Sequence, residues 1–256
     1  MDKISIIIPV RNEEDYIDGA LGQFFIDPIA GEIIVTDDGS TDRTREIAES
    51  YGVIFLDHTV EHHLAKRFPH LERSTIGANR NFGARNATGE FLLFIDAETR
   101  IENCKDFITR SLKHFHNDPE LVALTGALWV IPELETWGDR LVYTVFNWVH
   151  RIKNNWLGAG EASGKFQMIR RTAFDKVGGY REDLVTREDG DMFARLSRIG
   201  TTLCDPKLVV LYSGRRAHAI GWPRLLLTWL LESLSFVFRG RAISTNWDRI
   251  DTKAKK

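Results

Sequence analysis

Two acidic clusters in this chain have the residue types and positions to do chemistry. Val35–Thr44 reads VTDDGSTDRT and Phe91–Thr99 reads FLLFIDAET, and each cluster directly follows a run of apolar, β-forming residues. In Asp96-x-Glu98, the i, i+2 spacing at a strand end turns both carboxylates to one face, where they can chelate a hard cation or orient one another. Asp37 and Asp38 offer hydrogen-bond acceptors at the end of the other run, and the same residues also suit an Asp-Gly turn that caps a helix. The pair of clusters suggests a nucleotide pocket beside a divalent-metal site, an arrangement suited to a metal-bound diphosphate.

The elements that must hold these residues follow from periodicity. Ile4–Val10 and Ile33–Thr36 are short β-branched runs, as expected of strands buried on both faces of a parallel sheet. Glu13–Phe25 fits a helix between them, and Ser40 or Thr41 can cap a helix that runs through Tyr51 to a stop at Gly52. Val53–Leu56 and Phe91–Ile95 read as strands and Ile76–Ala87 as a helix. In the second half, Lys105–His116, Thr136–Lys153, Thr172–Val177 and Asp189–Ile199 read as helices, and Leu121–Val130, Lys165–Ile169 and Leu208–Ser213 as strands. In Thr136–Lys153, Leu141, Val142, Val145, Phe146, Val149 and Ile152 form an apolar stripe. Alternating strands and helices imply right-handed crossovers and a doubly wound, mostly parallel central sheet flanked by helices, with ligands at the carboxyl ends of its strands. Both acidic clusters sit at such ends.

Composition narrows the function. The 256 residues are 43% apolar, enough for one large α/β domain with a C-terminal extension. A formal net charge of −2, from 34 basic and 36 acidic residues, gives no global field that favours nucleic acid, so any anion is bound locally. Cys104 and Cys204 are too few for a disulfide framework and lack zinc-ligand spacing, which points to a reducing, cytoplasmic setting. No signal peptide is evident. The most lipid-like stretch, Trp222–Phe238, falls short of the ~20 residues a bilayer span needs and carries Arg224 and Glu232.

The order of motifs carries more. IIIPVRNEE at Ile6–Glu14, VTDDGSTDRT, NRNFGARNATGEFLLFIDAET at Asn79–Thr99, MIRRTAFDKVGGY at Met168–Tyr180 and REDGDMFARLSRIG at Arg187–Gly200 together resemble glycosyltransferase family 2. The resemblance runs from Ile4 to roughly His218. It implies the GT-A fold, inversion at the anomeric carbon, and transfer of a sugar from a UDP- or GDP-linked donor to a glycan or lipid-linked acceptor, as in cell-envelope glycan assembly. It also implies a divalent cation, Mg²⁺ or Mn²⁺. On this reading residues 1–220 form the GT-A domain, with residues 1–100 the nucleotide half and residues 101–220 the acceptor half. Residues 221–256 are then an amphipathic helix and tail.

Site residues follow by position in the matching motifs. Pro9, Asn12, Glu13, Asp37, Asp38, Arg80 and Asp96 fall where the family binds nucleotide, although Glu13 also suits a helix first turn. Arg80 can grip a diphosphate in bidentate fashion or pair with acids at the surface. Asp96 and Glu98 occupy the family's Asp-x-Asp metal motif, with glutamate in place of the second aspartate. His218, in SGRRAHAIGW, is a candidate third metal ligand by the resemblance and otherwise a structural or exposed histidine, and Arg215 and Arg216 can clamp an anion or remain solvated. Asp189 falls at the catalytic base, with Glu188 as its orienter or an acceptor contact, and Gly178-Gly179-Tyr180 makes the turn that aims them. Gly83 lets its helix lie close to the sheet. His58, His62, His63 and His70 read as residues of the long loop Asp57–Thr75.

Trp222–Phe238 has Leu225, Leu226, Trp229, Leu230, Leu234 and Val237 at near-helical spacing, with Arg224, Arg239 and Arg241 at its ends. This is the pattern of a helix resting on a membrane surface, and equally of one packed on protein. Two alternatives to the transferase stand beside it. A sugar-phosphate nucleotidyltransferase would need a glycine-rich basic loop where this chain has PVRNEE. A non-catalytic nucleotide-sugar-binding protein is suggested by Glu98.

Overall fold

The computed structural model describes residues 3–26, 31–60, 68, 71, 74–239 and 243–244. Its centre is a seven-stranded sheet in the order β3-β2-β1-β4-β6-β5-β7. The strands are β1 (Ile4–Val10), β2 (Gly31–Asp37), β3 (Ile54–Asp57), β4 (Phe91–Ile95), β5 (Leu121–Val130), β6 (Phe166–Arg170) and β7 (Thr201–Tyr212). The helices are α1 (Ile17–Ile26), α2 (Thr44–Ser50), α3 (Ile76–Asn86), α4 (Cys104–Asn117), α5 (Trp137–Asn155), α6 (Arg171–Lys176), α7 (Glu188–Leu196), α8 (Arg215–Ile220) and α9 (Trp222–Arg239).

Side chains alternate across the sheet, as the strand repeat of two requires. Ile6 and Ile8 of β1 join Leu93 and Ile95 of β4 in one core, with Leu21 of α1, Ala48 of α2 and Phe107 of α4. Ile7, Leu92 and Phe94 face the opposite core, with Ala84 of α3, Phe174 of α6 and Phe193 of α7. The result is helices on both faces of a mostly parallel sheet. α3 lies close to it, because a Cβ added at Gly83 would stand 2.6 Å from Ile7 Cγ2.

Orientation is what the apolar runs did not reveal. β6 is antiparallel to both neighbours, whereas β1 pairs in parallel with β2 and β4, and β5 in parallel with β7. The start of β6 therefore shares a sheet edge with the ends of the other strands. Its register sets Phe166 opposite Ile95, so the residues next in line are Lys165 and Asp96.

Three local expectations change, and one stripe proves only partly covered. The first helix begins at Ile17, after a turn in which the Glu13 carbonyl accepts from Tyr16 and Ile17 N–H, so Glu13 is not a helical first-turn acid. Ser40 and Thr41 do not cap α2, which starts at Thr44. The Ser40 and Thr41 N–H groups instead donate to Asp37 (3.1 Å) and Asn12 Oδ1 (2.6 Å). β7 extends seven residues further toward the N-terminus than Leu208. Finally, the stripe on α5 is not all core: Val145 is 55% exposed and Leu141 and Val149 are exposed with it, while the helix buries Tyr143, His150 and Asn154. Cys104 and Cys204 form no disulfide and are both buried. Among the described residues, no helix is long and apolar enough to cross a membrane. His62, His63, His70 and Arg241, and the side chains of Val237 and Arg239, lie outside the described residues.

Candidate active site

The shared edge of the sheet opens into a cavity of about 610 Å³ lined by Pro9, Glu13, Asp38, Arg80, Asp96, Glu98, Glu188 and Asp189, among others. The two halves of the chain thus meet in one space, and Arg80 joins them. Its NH1 donates to Glu188 Oε1 at 2.9 Å and its NH2 to Asp96 Oδ1 at 3.0 Å and the Gly164 carbonyl at 3.2 Å. The side chain is 1% exposed, and its guanidinium lies over the Tyr180 ring. Arg80 is therefore a buried strut already committed to protein acceptors, not a free clamp.

Lys165 is the main group that motif reading missed. Its Nζ stands 2.8 Å from Asp96 Oδ2 and 2.5 Å from Glu98 Oε1, bridging the two carboxylates. The second Glu98 oxygen accepts from Ser213 Oγ and lies 3.2 Å from Arg215 Nε. Arg215 in turn grips both Glu13 oxygens, at 2.9 and 2.7 Å. Burial alone would raise the carboxyl pKa values of Asp96 and Glu98. Lys165, then Arg80 for Asp96 and Arg215 for Glu98, hold them below the usual range instead.

Asp189 is held by the main chain. Its Oδ2 accepts from Gly164 N–H at 2.8 Å and its Oδ1 from Gly190 N–H at 2.7 Å. It shares the mouth of α7 with Glu188, and burial raises both carboxyls. The adjacent Asp189 adds to this at Glu188, which is pushed up to about 7. A pair in this state holds a proton near neutrality and can take one from a hydroxyl once it has lost it. Upstream, Gly178 and Gly179 both adopt positive φ, and Tyr180 N–H then donates to Asn81 Oδ1 at 2.8 Å.

The nucleotide candidates divide into two groups. Pro9, Glu13 and Asp38 line the cavity. Asp38 sits 3.7 Å from both Arg11 and His58. Asn12 and Asp37 instead shape the loop: Asn12 has φ 52° and accepts from Thr41, and buried Asp37 ties down Ser40. His218 does not join Asp96 and Glu98. Its Nε2 meets Asp139 Oδ2 at 2.8 Å. Asp139 is fully buried and also accepts from Thr136 and Trp222, so it needs these donors and binds the histidine into the junction of α5, α8 and α9.

Asp96 and Glu98 suit a divalent cation as a pair of donors, although among the described residues no group of three or more His, Cys, Asp or Glu side chains is gathered as a metal site. Their oxygens are hard donors, and the Lys165 ammonium marks a point where one positive charge touches both. Glu13, Asp96, Glu98, Glu188 and Asp189 outnumber Arg80, Lys165 and Arg215 in this inner ring. Seating phosphates there calls for added positive charge.

Across the cavity the wall is apolar, formed by Tyr143, Phe146 and Val149 of α5 and Leu225 and Trp229 of α9. Phe146 and Trp229 pack with ring centroids 5.4 Å apart. Outside that wall, Trp148 is 61% and Leu230 55% exposed.

Comparison with known proteins gives the following. Residues 5–178 match the sequence model described as Glycosyl transferase family 2. The chain is 26% identical over 239 residues to the succinoglycan biosynthesis protein ExoA of Rhizobium meliloti, covering 85% of this chain and 65% of that protein. It is 30% identical over 162 residues to the poly(ribitol-phosphate) beta-N-acetylglucosaminyltransferase TarS of Staphylococcus aureus, covering 57% and 26%. Among solved structures, the mannosyltransferase PcManGT from Pyrobaculum calidifontis, in complex with GDP-Man and Mn²⁺, superposes with a TM-score of 0.70 at 17% identity, covering 92% of this chain and 64% of that one. This likeness shows the fold, which is of the GT-A type. The chain spans less than two thirds of each of these three proteins.

Proposed function

Because this chain belongs to glycosyl transferase family 2, we propose that it is an inverting glycosyltransferase moving a sugar from a UDP- or GDP-linked donor to a hydroxyl of a glycan or lipid-linked acceptor. The observation that carries this reading is the buried guanidinium of Arg80 tying Asp96 to Glu188 within one cavity. In the reaction, Asp189 accepts the acceptor's proton as its oxygen attacks the anomeric carbon opposite the departing diphosphate. Glu188 and the Gly164 amide orient Asp189. Lys165, Arg215 and, at longer range, Arg80 oppose the charge that grows on the diphosphate. Asp96 and Glu98 are the residues that would hold Mg²⁺ or Mn²⁺, which when bound supplies Lewis-acid neutralisation of the leaving group. Pro9, Glu13 and Asp38 form the nucleotide side of the cavity, on a loop shaped by Asn12 and Asp37.

The apolar wall on α5 and α9 favours a lipid-linked acceptor. Leu226, Leu230 and Leu234 of α9 and Val145, Trp148 and Val149 of α5 continue that wall to the outside, with Arg140, Arg151 and Arg224 exposed nearby in the chain. This combination suits contact with a membrane surface. The protein is expected to co-sediment with vesicles containing anionic phospholipid, and Leu230→Glu/Leu234→Glu to remain in the supernatant. Pelleting that does not depend on lipid removes membrane contact from the proposal.

Thermal unfolding with UDP, GDP and their sugar conjugates, with and without Mn²⁺, tests the activity's first requirement. A cognate nucleotide at about a hundred times its Kd should raise Tm by about 5–10 °C, more with Mn²⁺ than without. Transfer from the stabilising nucleotide sugar would complete the case. Binding without transfer would make the protein a nucleotide-sugar-binding module, and pyrophosphate release from a nucleoside triphosphate would make it a nucleotidyltransferase.

A further inference from the structure

We propose that Lys165 is a resident cation that must vacate the Asp96–Glu98 pair before a divalent ion can bridge it, so that metal binding is conditional on the donor's diphosphate. The proposal rests on the donor reading above and adds a control to that site. Lys165 Nζ lies within hydrogen-bonding distance of one oxygen on each carboxylate, at 2.8 and 2.5 Å. The remaining oxygens are committed to Arg80, and to Ser213 and Arg215. The ammonium occupies the point from which one cation reaches an oxygen of each carboxylate, so a divalent ion seated there displaces it.

Of the three basic side chains, Lys165 is the one able to leave. Arg80 is 1% exposed and fixed by Glu188 and the Gly164 carbonyl as well as by Asp96. Arg215 is locked to Glu13 by two hydrogen bonds. Lys165 is 21% exposed on the cavity wall. Its ammonium bonds to Asp96 and Glu98 and lies 5.3 Å from the centre of the Tyr212 ring. Its four-carbon stem is flexible and its head is a point charge with no fixed fork. An arriving diphosphate supplies what the exchange lacks, namely a new anionic partner for the ammonium and oxygen ligands that complete the coordination of the ion. Metal and nucleotide thus strengthen each other's binding, and the coupling is equal in both directions.

Free Mn²⁺ measured by electron paramagnetic resonance during titration decides the matter, using wild type and Lys165→Gln with and without UDP or GDP. Wild type without nucleotide should bind Mn²⁺ weakly, and nucleotide should tighten it by about tenfold or more. Lys165→Gln should bind the ion without nucleotide at least about tenfold more tightly than wild type, with reduced coupling to nucleotide. Adding Glu98→Gln to that variant should remove the gain, and Lys165→Arg should keep the weak binding of wild type. Equal Mn²⁺ affinity in nucleotide-free wild type and Lys165→Gln would overturn the proposal, and so would tight binding to nucleotide-free wild type, which needs no variant to fold. If neither nucleotide binds either protein, the donor reading fails, while the comparison of nucleotide-free proteins still decides the role of Lys165.

Discussion

Asp189→Asn is expected to lower kcat by about 10²–10⁴-fold, the usual contribution of a positioned base, while donor affinity stays close to wild type. The second half of that expectation follows from how Asp189 is held. Its oxygens bond to the main-chain N–H groups of Gly164 and Gly190. Arg80, Lys165 and Arg215 rest on other carboxylates, so the cationic side of the cavity does not depend on it. The pH profile adds a second readout. Burial and the adjacent Asp189 push the Glu188 carboxyl up to about 7, so wild-type turnover should rise with pH through that region as the pair loses its last proton. In Asp189→Asn the neighbouring charge is gone, and whatever activity remains should show its acidic limb at lower pH. Near-normal turnover in the variant would remove the base assignment.

Arg80→Met is expected to cost about 3–5 kcal/mol of stability, because removing one partner of a buried ion pair leaves the other charge uncompensated. Here Asp96 and Glu188 both lose a donor. The sign with pH is fixed by their shifts. Burial would raise the Asp96 carboxyl, but Lys165 and then Arg80 hold it below its usual range. Its stabilising contribution is therefore present above the ordinary aspartate range and lost as pH falls through the lowered value. Glu188 is raised, so the native state already pays for ionising it as pH climbs from the ordinary glutamate range toward about 7. Without Arg80 both effects worsen at higher pH. The gap between variant and wild type in urea unfolding should be wide at pH 8 and narrow at pH 5. An equal gap at both would show that Arg80 acts through packing alone.

The parts of this site legible in sequence were those carried by local pattern. Asp37-Asp38 and Asp96-Ala97-Glu98 each close an apolar run, and a run buried on both faces is the mark of a central strand whose end meets ligand. Lys165 had no such mark. It stands before an apolar run, where a lone lysine looks like a solvated entry to a strand, and it reaches the site because β6 is reversed in the sheet. The Arg215–Glu13 pair spans 202 positions of chain, and no spacing rule reaches so far. His218 is a ligand candidate by its place in the family's C-terminal segment and a structural histidine by type, and the structure pairs it with Asp139, the acid of the capping box that opens α5. On α5 the helical period was right, but a stripe of period 3.6 identifies a face and not the medium that face meets.

The segment Gly164-Lys165 has a consequence for how this protein could be altered. The Gly164 amide steadies Asp189, its carbonyl receives Arg80, and a Cβ there would collide with the Arg80 guanidinium. The relative placement of Asp189 and Arg80, the proposed base and the strut to Asp96, thus runs through the backbone of one residue that tolerates no side chain. If the proposed acceptor wall on α5 and α9 is right, its residues are the targets for redirecting specificity while that placement persists, and position 164 is the one to leave alone.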